Sequence, residues 1–593
     1  MCRTPQPRGA SPTPLSGGVF AGFLLLLLVL LAGCKPAMDP SRVEPLSADS
    51  LTFTYQPQKT TEILSVDLGS TPRDLYLVYS NTYPIAQAPP KVVSSSWGDS
   101  HAPASSRSGE NSLNSGPPSP APSRPRAIRG FPGQHAWRQD HPLPPPRAPV
   151  PSGASSRALS RSFAAESVGT ATLAYTSYNG SSISLTLRLQ KDVTTAFGTK
   201  RVNLWVDDAQ WDGSGTGPVS LDTLEALQEA FLQDGQDNDI YDWLTAIFGE
   251  EYGGTGYVDY IAPQDTVDIL LFDIDGDEHP VVGDGRMVGY YWAKDQHLDE
   301  AALRIYGRES HKRVIFVLDS WLAASPDPYW QKEVISTLAH EFQHMINFYQ
   351  RYITLGQADA VWFDEMLAMA AEDLVADKLG VNGPRGVAFD DPGPGPAENY
   401  SGRLIDFNTA TDAQVTKWWS NEPEDYENLI QAYGVAYAFG AYLGRNYGGA
   451  GFFAGLYDRN STGIQAITEE IQASGYGEVT PGTLLGRWGA AVVLSDRLSP
   501  GELITYNRGT SWNSTTLEGM QYNLGSINLF NYYRGSDYWN TVTGPNLNNY
   551  SPDKNLKPES NTYHRIASGV TGRQEITLEI PNPQWTTLTL VAR

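Results

Sequence analysis

The pattern of apolar and polar positions between residues 171 and 319 predicts a β-sheet. Apolar residues either alternate with polar ones or form short unbroken runs, which is typical of half-buried and fully buried strands. Two stretches with helical spacing, 221–232 and 240–248, lie between these runs. The predicted strands are ATLAYT (171–176), ISLTLRL (183–189), RVNLWV (201–206), VDILLF (267–272), MVGYYW (287–292) and VIFVLD (314–319).

The pattern changes on both sides of this sheet. Residues 330–494 have mostly helical spacing, interrupted by the loop FDDPGPGPAENYSG, and the chain ends in the strand patterns EITLEI and TLTLVA. Residues 50–82 form a further β element, in which we expect 62–67 and 75–79 to pair as a hairpin around a GSTP turn. Strands, then helices, then strands predict an α+β fold with a mixed sheet, a helical subdomain and small all-β elements at its flanks.

The first forty residues resemble a targeting segment. Arg3 and Arg8 precede the apolar run VFAGFLLLLLVLL, which has the size of a signal h-region and is short for a membrane-spanning helix. The run ends in LAGC, which resembles the lipobox of bacterial lipoproteins, and this resemblance implies that Cys34 carries lipid. We therefore expect a protein anchored to a bacterial membrane, at the outer membrane or cell surface, with the periplasmic face as the alternative. The alternative is an uncleaved anchor helix.

Composition separates a linker from the globular regions. Residues 92–166 contain 13 Pro and 16 Ser, so this segment cannot bury enough apolar surface to offset its ordering entropy. We predict a disordered tether; the alternative is a ligand for a polyproline-binding partner or a cell-wall polymer. The tether has 8 basic and 4 acidic residues, whereas residues 167–593 have 27 and 56. A net charge of −24 for the chain argues against nucleic acid as a partner.

The candidate chemistry lies in EVISTLAHEFQHMINFYQ, a helix-compatible run with the H-E-x-x-H pattern. His340 and His344 are four residues apart, so on a helix both imidazoles project from one face. This spacing lets two neutral imidazoles bind one Zn²⁺ at about 2.0–2.1 Å. Glu341 lies beside that face, where it can take a proton from an attacking water. The alternative is a helix with two hydrogen-bonded histidines and a surface glutamate.

A second helical stretch supplies a third candidate ligand. Glu365 in VWFDEMLAMAAEDL follows His344 after 20 intervening residues, and it can complete a two-histidine, one-glutamate site with one position left for water. Glu372 lies seven residues further on, on almost the same helical face. It can accept the second ring N–H of a ligand histidine and fix its tautomer. The alternative for Glu372 is an exposed helix charge.

These residues resemble a known group of enzymes. HEFQHMINF followed by WFDEMLAMAAED is similar to the gluzincins, and within them to the hyicolysin family of bacterial zinc metallopeptidases. The resemblance covers about residues 201–455. It implies a zincin-like fold, hydrolysis of peptide bonds in protein or peptide substrates, and one zinc ion held by His340, His344 and Glu365.

The resemblance also assigns a role to Tyr433, which opens YGVAYAFGAYL. In gluzincin aminopeptidases a tyrosine at the corresponding place faces the metal, which implies that Tyr433 donates a hydrogen bond to the oxyanion. Such a donor is worth on the order of 2–4 kcal/mol of barrier. The alternative is that Tyr433, Tyr437 and Tyr442 are core aromatics.

The chain departs from the gluzincin pattern in two places. Thermolysin-like enzymes have Asp four residues after the ligand glutamate, and here Met369 occupies that position, so Glu372 has to replace it. The Gly-x-Met-Glu-Asn motif that binds a free amino terminus is absent from the sequence. This favours an endopeptidase. An exopeptidase of the same fold and a non-catalytic surface adhesin remain the alternatives, and the intact Glu341 argues against the adhesin.

A weaker motif suggests calcium. Asp273, Asp275 and Asp277 alternate in DIDGD as in calcium loops, but the glycine comes at the fourth position and not at the sixth that an EF-hand requires. A polar turn after a buried strand is therefore the favoured interpretation. The other histidines are either in the tether or isolated, and we interpret them as structural.

The sequence thus predicts a lipid-anchored zinc metallopeptidase that binds its substrate along an exposed edge strand, for which MVGYYW is the candidate. Its substrate specificity and oligomeric state stay open. The predicted division is a signal peptide (1–33), an N-terminal β element (34–91), the tether (92–166), a catalytic region (167–498) and a C-terminal β-rich region (499–593).

Overall fold

The computed structural model describes residues 42–47, 49–97, 127–129, 166–214, 217–253, 257, 259–276, 286–381, 403–419, 426–508, 513–532 and 544–593. The predicted signal peptide with Cys34, most of the tether and Asp277 lie outside these residues. Within them, no helix is both long enough and apolar enough to cross a membrane.

The strands of the described residues form four sheets. In chain order they are β1 (Arg42–Leu46), β2 (Thr52–Tyr55), β3 (Thr61–Asp67), β4 (Arg73–Asn81), β5 (Lys91–Ser95), β6 (Ala127–Arg129), β7 (Thr172–Thr176), β8 (Ser182–Thr195), β9 (Gly198–Asp207), β10 (Thr266–Phe272), β11 (Arg286–Tyr291), β12 (Ile315–Asp319), β13 (Asn513–Leu517), β14 (Met520–Leu524), β15 (Ser560–Val570), β16 (Arg573–Glu579) and β17 (Thr586–Ala592).

The helices lie mostly in the second half of the chain. They are α1 (Leu221–Phe231), α2 (Ile240–Phe248), α3 (Asp299–Tyr306), α4 (Ser320–Ala323), α5 (Pro328–Asn347), α6 (Val361–Val375), α7 (Leu404–Thr409), α8 (Tyr426–Asn446), α9 (Ala450–Leu456), α10 (Gly463–Ala473) and α11 (Pro481–Val493). A π-helical segment, Phe348–Thr354, continues α5 directly. The mixture of sheets and helices confirms the predicted α+β fold class.

A seven-stranded mixed sheet is the base of the central region, with the order β6-β11-β12-β10-β9-β8-β7. Its central strands β9, β10 and β12 are parallel, and β11 runs antiparallel to β12. Alternate side chains of β10 enter two different cores: Ile269 and Leu271 on one face, Leu270 and Phe272 on the other. Burial on both faces explains why this strand is an unbroken apolar run.

The six strands that the pattern predicts in this region are all present as β7 to β12. One expectation about them is wrong. We expected β11 to be an exposed edge strand, but β6 from the tether pairs with its outer side.

Two helices lie one behind the other on the side of β11 and β12. Helix α5 packs on both strands, and α6 packs between α5 and α8. Every residue of α6 is buried, as expected for a helix that is apolar on nearly all sides. Helix α8 approaches α6 closely at Gly440, which has no side chain. A Cβ at this position would lie only 2.9 Å from Cγ of Met366. This layer positions the candidate site.

The two ends of the described chain form one β-sandwich. One sheet has the order β1-β3-β16-β5 and the other β15-β4-β17-β2, so strands from residues 42–97 pair with strands from residues 560–592 in both. The sequence-based division assigns these strands to the N-terminal element, the start of the tether (most of β5) and the C-terminal region, and strand pairing joins them. The inner faces contribute a shared apolar core that includes Leu64, Leu77, Ile576 and Leu588.

The predicted hairpin of 62–67 with 75–79 is wrong. Strand β3 pairs with β1 and β16, whereas β4 pairs with β15 and β17 in the opposite sheet. The physical reason is that both strands have an apolar face, and the turn between them carries the chain from one sheet to the other, so that these faces meet in the sandwich core.

Helix α11 joins the sandwich to the helical layer. Its glycines face the sheet β15-β4-β17-β2, and a Cβ on Gly486 would lie 2.3 Å from Oγ1 of Thr589. A Cβ on Gly482 would likewise clash with Oγ1 of Thr587. Residues without side chains therefore let the helix backbone lie directly on the threonines of this sheet.

Candidate metal centre

The two motif histidines and the downstream glutamate converge in the buried layer between α5 and α6. Nε2 of His340 lies 3.1 Å from Nε2 of His344. Oε2 of Glu365, from α6, lies 3.3 Å from the former and 3.7 Å from the latter nitrogen. All three side chains are almost fully buried. We call His340, His344 and Glu365 the metal centre; among the described residues they are the group whose donor atoms are close enough to share an ion.

These separations fit a zinc ion. Ligand atoms bound at about 2.0–2.1 Å in a tetrahedral arrangement are roughly 3.3 Å apart. The observed separations of 3.1, 3.3 and 3.7 Å bracket this value. Two imidazole nitrogens with one carboxylate oxygen are also a donor set that zinc accepts, with a fourth position left open. The residues therefore fit the ion.

Glu372 orients the first histidine. Its Oε1 lies 2.7 Å from Nδ1 of His340, and a carboxylate can only accept, so Nδ1–H donates and Nε2 keeps its lone pair. Arg403 donates to both oxygens of Glu372, at 3.2 and 3.4 Å. This is the contact that helical spacing predicts for Glu372. Arg403 had no signal in the sequence, because it lies outside both motifs.

Asp364 orients the second histidine in the same way. Its Oδ2 lies 2.9 Å from Nδ1 of His344, so both histidines of the metal centre have a carboxylate on the far ring nitrogen. Nδ2 of Asn347 donates to Oδ1 of Asp364 at 2.5 Å. Sequence analysis did not single out Asp364. The available signal was its place directly before Glu365 on a helix that faces α5.

A tyrosine from a distant loop completes the support of Asp364. The hydroxyl of Tyr457 donates to Oδ1 of Asn347 at 3.0 Å and accepts from Nε2 of Gln343 at 2.9 Å. Burial raises the pKa of Tyr457 well above its usual range, so the hydroxyl stays protonated and remains a donor. Gln343 and Asn347, both within HEFQHMINF, thus position the partner of His344.

The π-helical segment after α5 is anchored by a buried arginine. Arg351 forms two hydrogen bonds with Asp359, at 2.5 and 2.9 Å, and donates to the backbone carbonyls of Leu456 and Ser461 at 2.6 and 2.8 Å. These carbonyls flank Tyr457, so the same arginine orders the loop that presents the tyrosine. π-Helical turns in α-helices are frequent at functional sites.

Four buried carboxylates surround the two histidines: Glu341, Asp364, Glu365 and Glu372. Burial alone would lower the pKa of His344, but the charges of Asp364 and Glu365 and their hydrogen bonds outweigh it and hold this pKa well above the usual range. A site with this many buried carboxylates is suited to a divalent cation, which neutralises the charge that the fold has collected there.

Comparison with known proteins identifies the family of the region that holds the metal centre. A model of the peptidase M30 family matches residues 181–500, which is more than half of the chain and contains the whole metal centre. The chain belongs to the peptidase M30 family. It is also similar to the neutral metalloprotease ShpI of Staphylococcus hyicus, with 32% identity over 133 residues. That match covers 22% of this chain and 27% of ShpI, so the chain spans about a quarter of that relative.

Family membership confirms the predicted hyicolysin-like peptidase class for the central region of this M30 chain. Glu341 lies on α5 directly after His340, and its side chain is fully buried in the layer that holds the metal centre. Its role as a general base stays a prediction.

Tyr433 lies on α8, near the outer partners of His340. Its ring meets Trp418 edge-on at a centroid distance of 4.8 Å, and Cζ of Arg403 is 5.8 Å from its centroid. Arg403 in turn binds Glu372, so two residues, Arg403 and Glu372, separate this M30 tyrosine from His340. Tyr442 behaves as a core residue, because its hydroxyl donates to the carbonyl of Leu503 at 2.9 Å.

The acidic loop after β10 shows turn contacts in the described residues. Oδ1 of Asp273 accepts from the backbone N–H of Gly276 at 2.8 Å, and Oδ2 of Asp275 accepts from that of Met287 at 3.3 Å. Asp277 lies outside the described residues. The first two contacts fit a polar turn, and calcium binding by this M30 chain stays a prediction.

Proposed function

We propose that this M30 protein is a zinc-dependent endopeptidase that cleaves extracytoplasmic proteins. The observation that carries the proposal is the buried convergence of His340, His344 and Glu365, with a carboxylate fixing each imidazole. The printed name of ShpI, a neutral metalloprotease, supports peptide bonds as the substrate class.

The residues of the site have distinct parts in this reaction. Zinc, when bound, would polarise the scissile carbonyl and lower the pKa of the attacking water. Glu341 accepts the proton of that water and returns it to the leaving amine, so one carboxylate acts first as base and then as acid. Tyr433 donates a hydrogen bond to the carbonyl oxygen as negative charge develops there. Glu372 and Asp364 keep the Nε2 atoms of the histidines directed at the site.

The endopeptidase assignment rests on the sequence, which lacks the Gly-x-Met-Glu-Asn motif for a free substrate amine. It predicts that a peptide blocked at both ends is cleaved internally. Mass spectrometry of the products separates the alternatives, because an exopeptidase would leave the blocked peptide intact and release single residues from its unblocked form.

The proposed location is a bacterial membrane surface, through lipid on Cys34 in the sequence LAGC. Three acyl chains anchor a protein far more firmly than one. We expect labelled palmitate to be incorporated into the full chain and the protein to sediment with membranes. Cys34→Ser should abolish both. Membrane association of the unlabelled Cys34→Ser protein would instead support the uncleaved anchor helix.

The test of the proposed function uses protein that starts after Cys34. We expect about one zinc per chain by elemental analysis and hydrolysis of casein that stops on addition of a chelator and returns with zinc. A chain without bound zinc and without chelator-sensitive hydrolysis would favour the non-catalytic adhesin.

A further inference from the structure

The outer side of β11 is occupied by the protein's own tether. Strand β6 pairs with β11 in parallel, with Arg286 opposite Ala127, Met287 opposite Ile128 and Gly289 opposite Arg129. β6 is therefore the terminal strand of the seven-stranded sheet on this side. The strand is contributed by a segment whose composition alone predicts no ordered structure.

This pairing takes place beside the metal centre. Strand β11 lies directly against α5: a Cβ on Gly289 would be 2.8 Å from Cγ2 of Thr337, and Thr337 is one helical turn before His340. Helix α5 also lies alongside β6. The tether backbone thus runs next to β11, beside the helix that carries the two histidines.

The edge of β11 is suited to binding an extended peptide. A sheet edge offers backbone N–H and C=O groups to any extended chain, and peptides commonly bind proteins by adding a strand there. Each backbone group forms its ladder hydrogen bond with one partner at a time, so β6 and a substrate strand exclude each other.

We propose that residues 127–129 are an intramolecular competitor of the substrate, which hold the β11 edge until a substrate peptide displaces them. The proposal rests on the proposed peptidase function. It names the tether as the occupant of the substrate surface and makes substrate binding a strand exchange.

Covalent geometry does not force this pairing. Residues 130–171 link β6 to β7 at the opposite edge of the sheet, and 42 residues can reach about 140 Å. The six strand spacings between the two edges add up to only about 29 Å. The linker therefore permits many other positions for β6. The pairing of β6 with β11 therefore reflects favourable contacts between the two strands. As a segment of the same chain, β6 competes at an effective concentration of the order of 1 mM.

Charge complementarity supports the same occupant. Arg124, Arg126 and Arg129 come from or directly precede β6, in a tether with 8 basic and 4 acidic residues. Residues 167–593 carry 27 basic and 56 acidic groups, a net charge of −29. An acidic body attracts a basic segment more strongly than it attracts the average peptide.

The first test measures occupancy of the edge without using activity. Ala127→Pro with Ile128→Pro removes two consecutive N–H groups, one of which must face β11 whatever the phase of the strand. The matched control is Ser155→Pro with Ser156→Pro, in the tether outside β6. In the β6 variant, the amides of β11 should exchange with deuterium at least about tenfold faster than in the control. Equal exchange would overturn the proposal.

The second test measures competition. For a short fluorogenic peptide, loss of β6 should lower KM by about 2- to 10-fold and leave kcat within about twofold, because a competitor at millimolar effective concentration is removed. An unchanged KM, or a KM that falls equally in the control, would overturn the competitor role even if exchange of β11 changes.

Failure of the proposed peptidase function and failure of the competitor role can be distinguished. If no zinc-loaded variant hydrolyses the peptide, the proposed function is wrong, and anisotropy of the same labelled peptide then replaces KM. Tighter peptide binding by the β6 variant than by the control would still support the competitor, and equal binding would refute it.

Discussion

The helical layer around the metal centre and the terminal β-sandwich both bury many side chains, but these side chains differ in their chemistry. Helices α5 and α6 enclose ionisable side chains, among them His340, Glu341, Asp364 and Glu372. The core of the sandwich consists of side chains such as Leu64, Leu77 and Leu590. Buried polar groups of the sandwich are mostly hydroxyls and amides, as in the 2.6 Å hydrogen bond from Ser80 to Asn561.

This difference indicates that the helical layer serves the reaction, whereas the sandwich contributes mainly to stability. Burying charged groups costs free energy unless each has a hydrogen-bonding partner, so a fold retains a cluster of them at the expense of stability. Apolar burial has the opposite effect, at about 25 cal/mol per Å². We therefore expect substitutions in the helical layer to change turnover or metal affinity, and substitutions in the sandwich to change the free energy of unfolding.

The largest effect is expected for Glu341→Gln. Glutamine has nearly the same shape but cannot accept the proton, so peptide hydrolysis should fall by about 10²- to 10⁴-fold. Zinc content and melting temperature should stay unchanged. Glu225→Gln, on the exposed face of α1, is the control and should have no effect. Retention of more than a tenth of the activity in Glu341→Gln would refute the general-base role.

Tyr433→Phe distinguishes an oxyanion donor from a core aromatic on the same helix. A donor acts mainly in the transition state, so kcat and kcat/KM should fall together by about 10²- to 10³-fold with stability unchanged. Tyr442→Phe is the matched control, because it loses the hydrogen bond from its hydroxyl to the carbonyl of Leu503. It should cost about 1 kcal/mol of stability and leave kcat intact. If Tyr433→Phe also loses stability and keeps its kcat, Tyr433 has no part in the mechanism.

Asp364→Asn tests the support of the second histidine. The amide cannot supply the charged acceptor for Nδ1–H of His344, so zinc affinity should fall by about 10- to 100-fold in competition with a chromogenic chelator. Asp373→Asn on the same helix is the control, because its partner is Arg445 at 2.7 Å. It should reduce stability without changing affinity. Equal affinities of wild type and Asp364→Asn would contradict the assigned role.

Leu590→Ala tests the other side of the comparison. The side chain is fully buried in the sandwich, and its truncation should cost about 2–5 kcal/mol in chemical denaturation. Below the transition, kcat per folded molecule should equal that of wild type. A large loss of kcat in fully folded protein would show that the sandwich shapes the site.

Both regions should contribute to the pH dependence of stability, because each buries a histidine. Burial lowers the pKa of His297 in the central region and of His564 in the sandwich to about 4. Both stay neutral in the folded state, whereas the unfolded chain takes up protons below about pH 6.5. Their contribution is therefore complete above pH 6.5 and is lost as pH falls to 4, by up to about 3 kcal/mol for each histidine.

Urea titrations between pH 4 and 7 measure this loss. His564→Gln should weaken the pH dependence by about one proton in this window. An unchanged slope would mean that His564 is solvated in the folded protein. Any effect on zinc binding is kept out of the measurement by using chelator-treated protein throughout.

The metal-centre residues and the central sheet could be predicted because their signals are local. The spacing of His340 and His344 sets their common face on one helix, and Glu365 lies on the next long helix of the same sequence block. The same holds for β7 to β12, whose apolar runs coincide with the strands. Periodicity within a single element was sufficient for the two histidines and for the strands, whereas Glu365 also required the resemblance to gluzincins.

What sequence analysis missed depends on contacts between distant segments. Tyr457 is more than a hundred residues from Asn347, and Arg403 lies outside every motif. The sandwich requires β4 to pair with β15, with Asn81 opposite Ser560. Strand patterns do not specify partners across such distances, so a neighbouring pair was wrongly expected to form a hairpin.

The central claim is that His340, His344 and Glu365 bind one zinc ion, and anomalous X-ray scattering tests it most directly. Crystals of the chain that starts after Cys34 should give, above the zinc absorption edge, a single strong peak about 2 Å from both Nε2 atoms and from Oε2 of Glu365. The peak should vanish below the edge. Crystals grown with zinc that show no peak between these three side chains, or show it at other residues, would contradict the account.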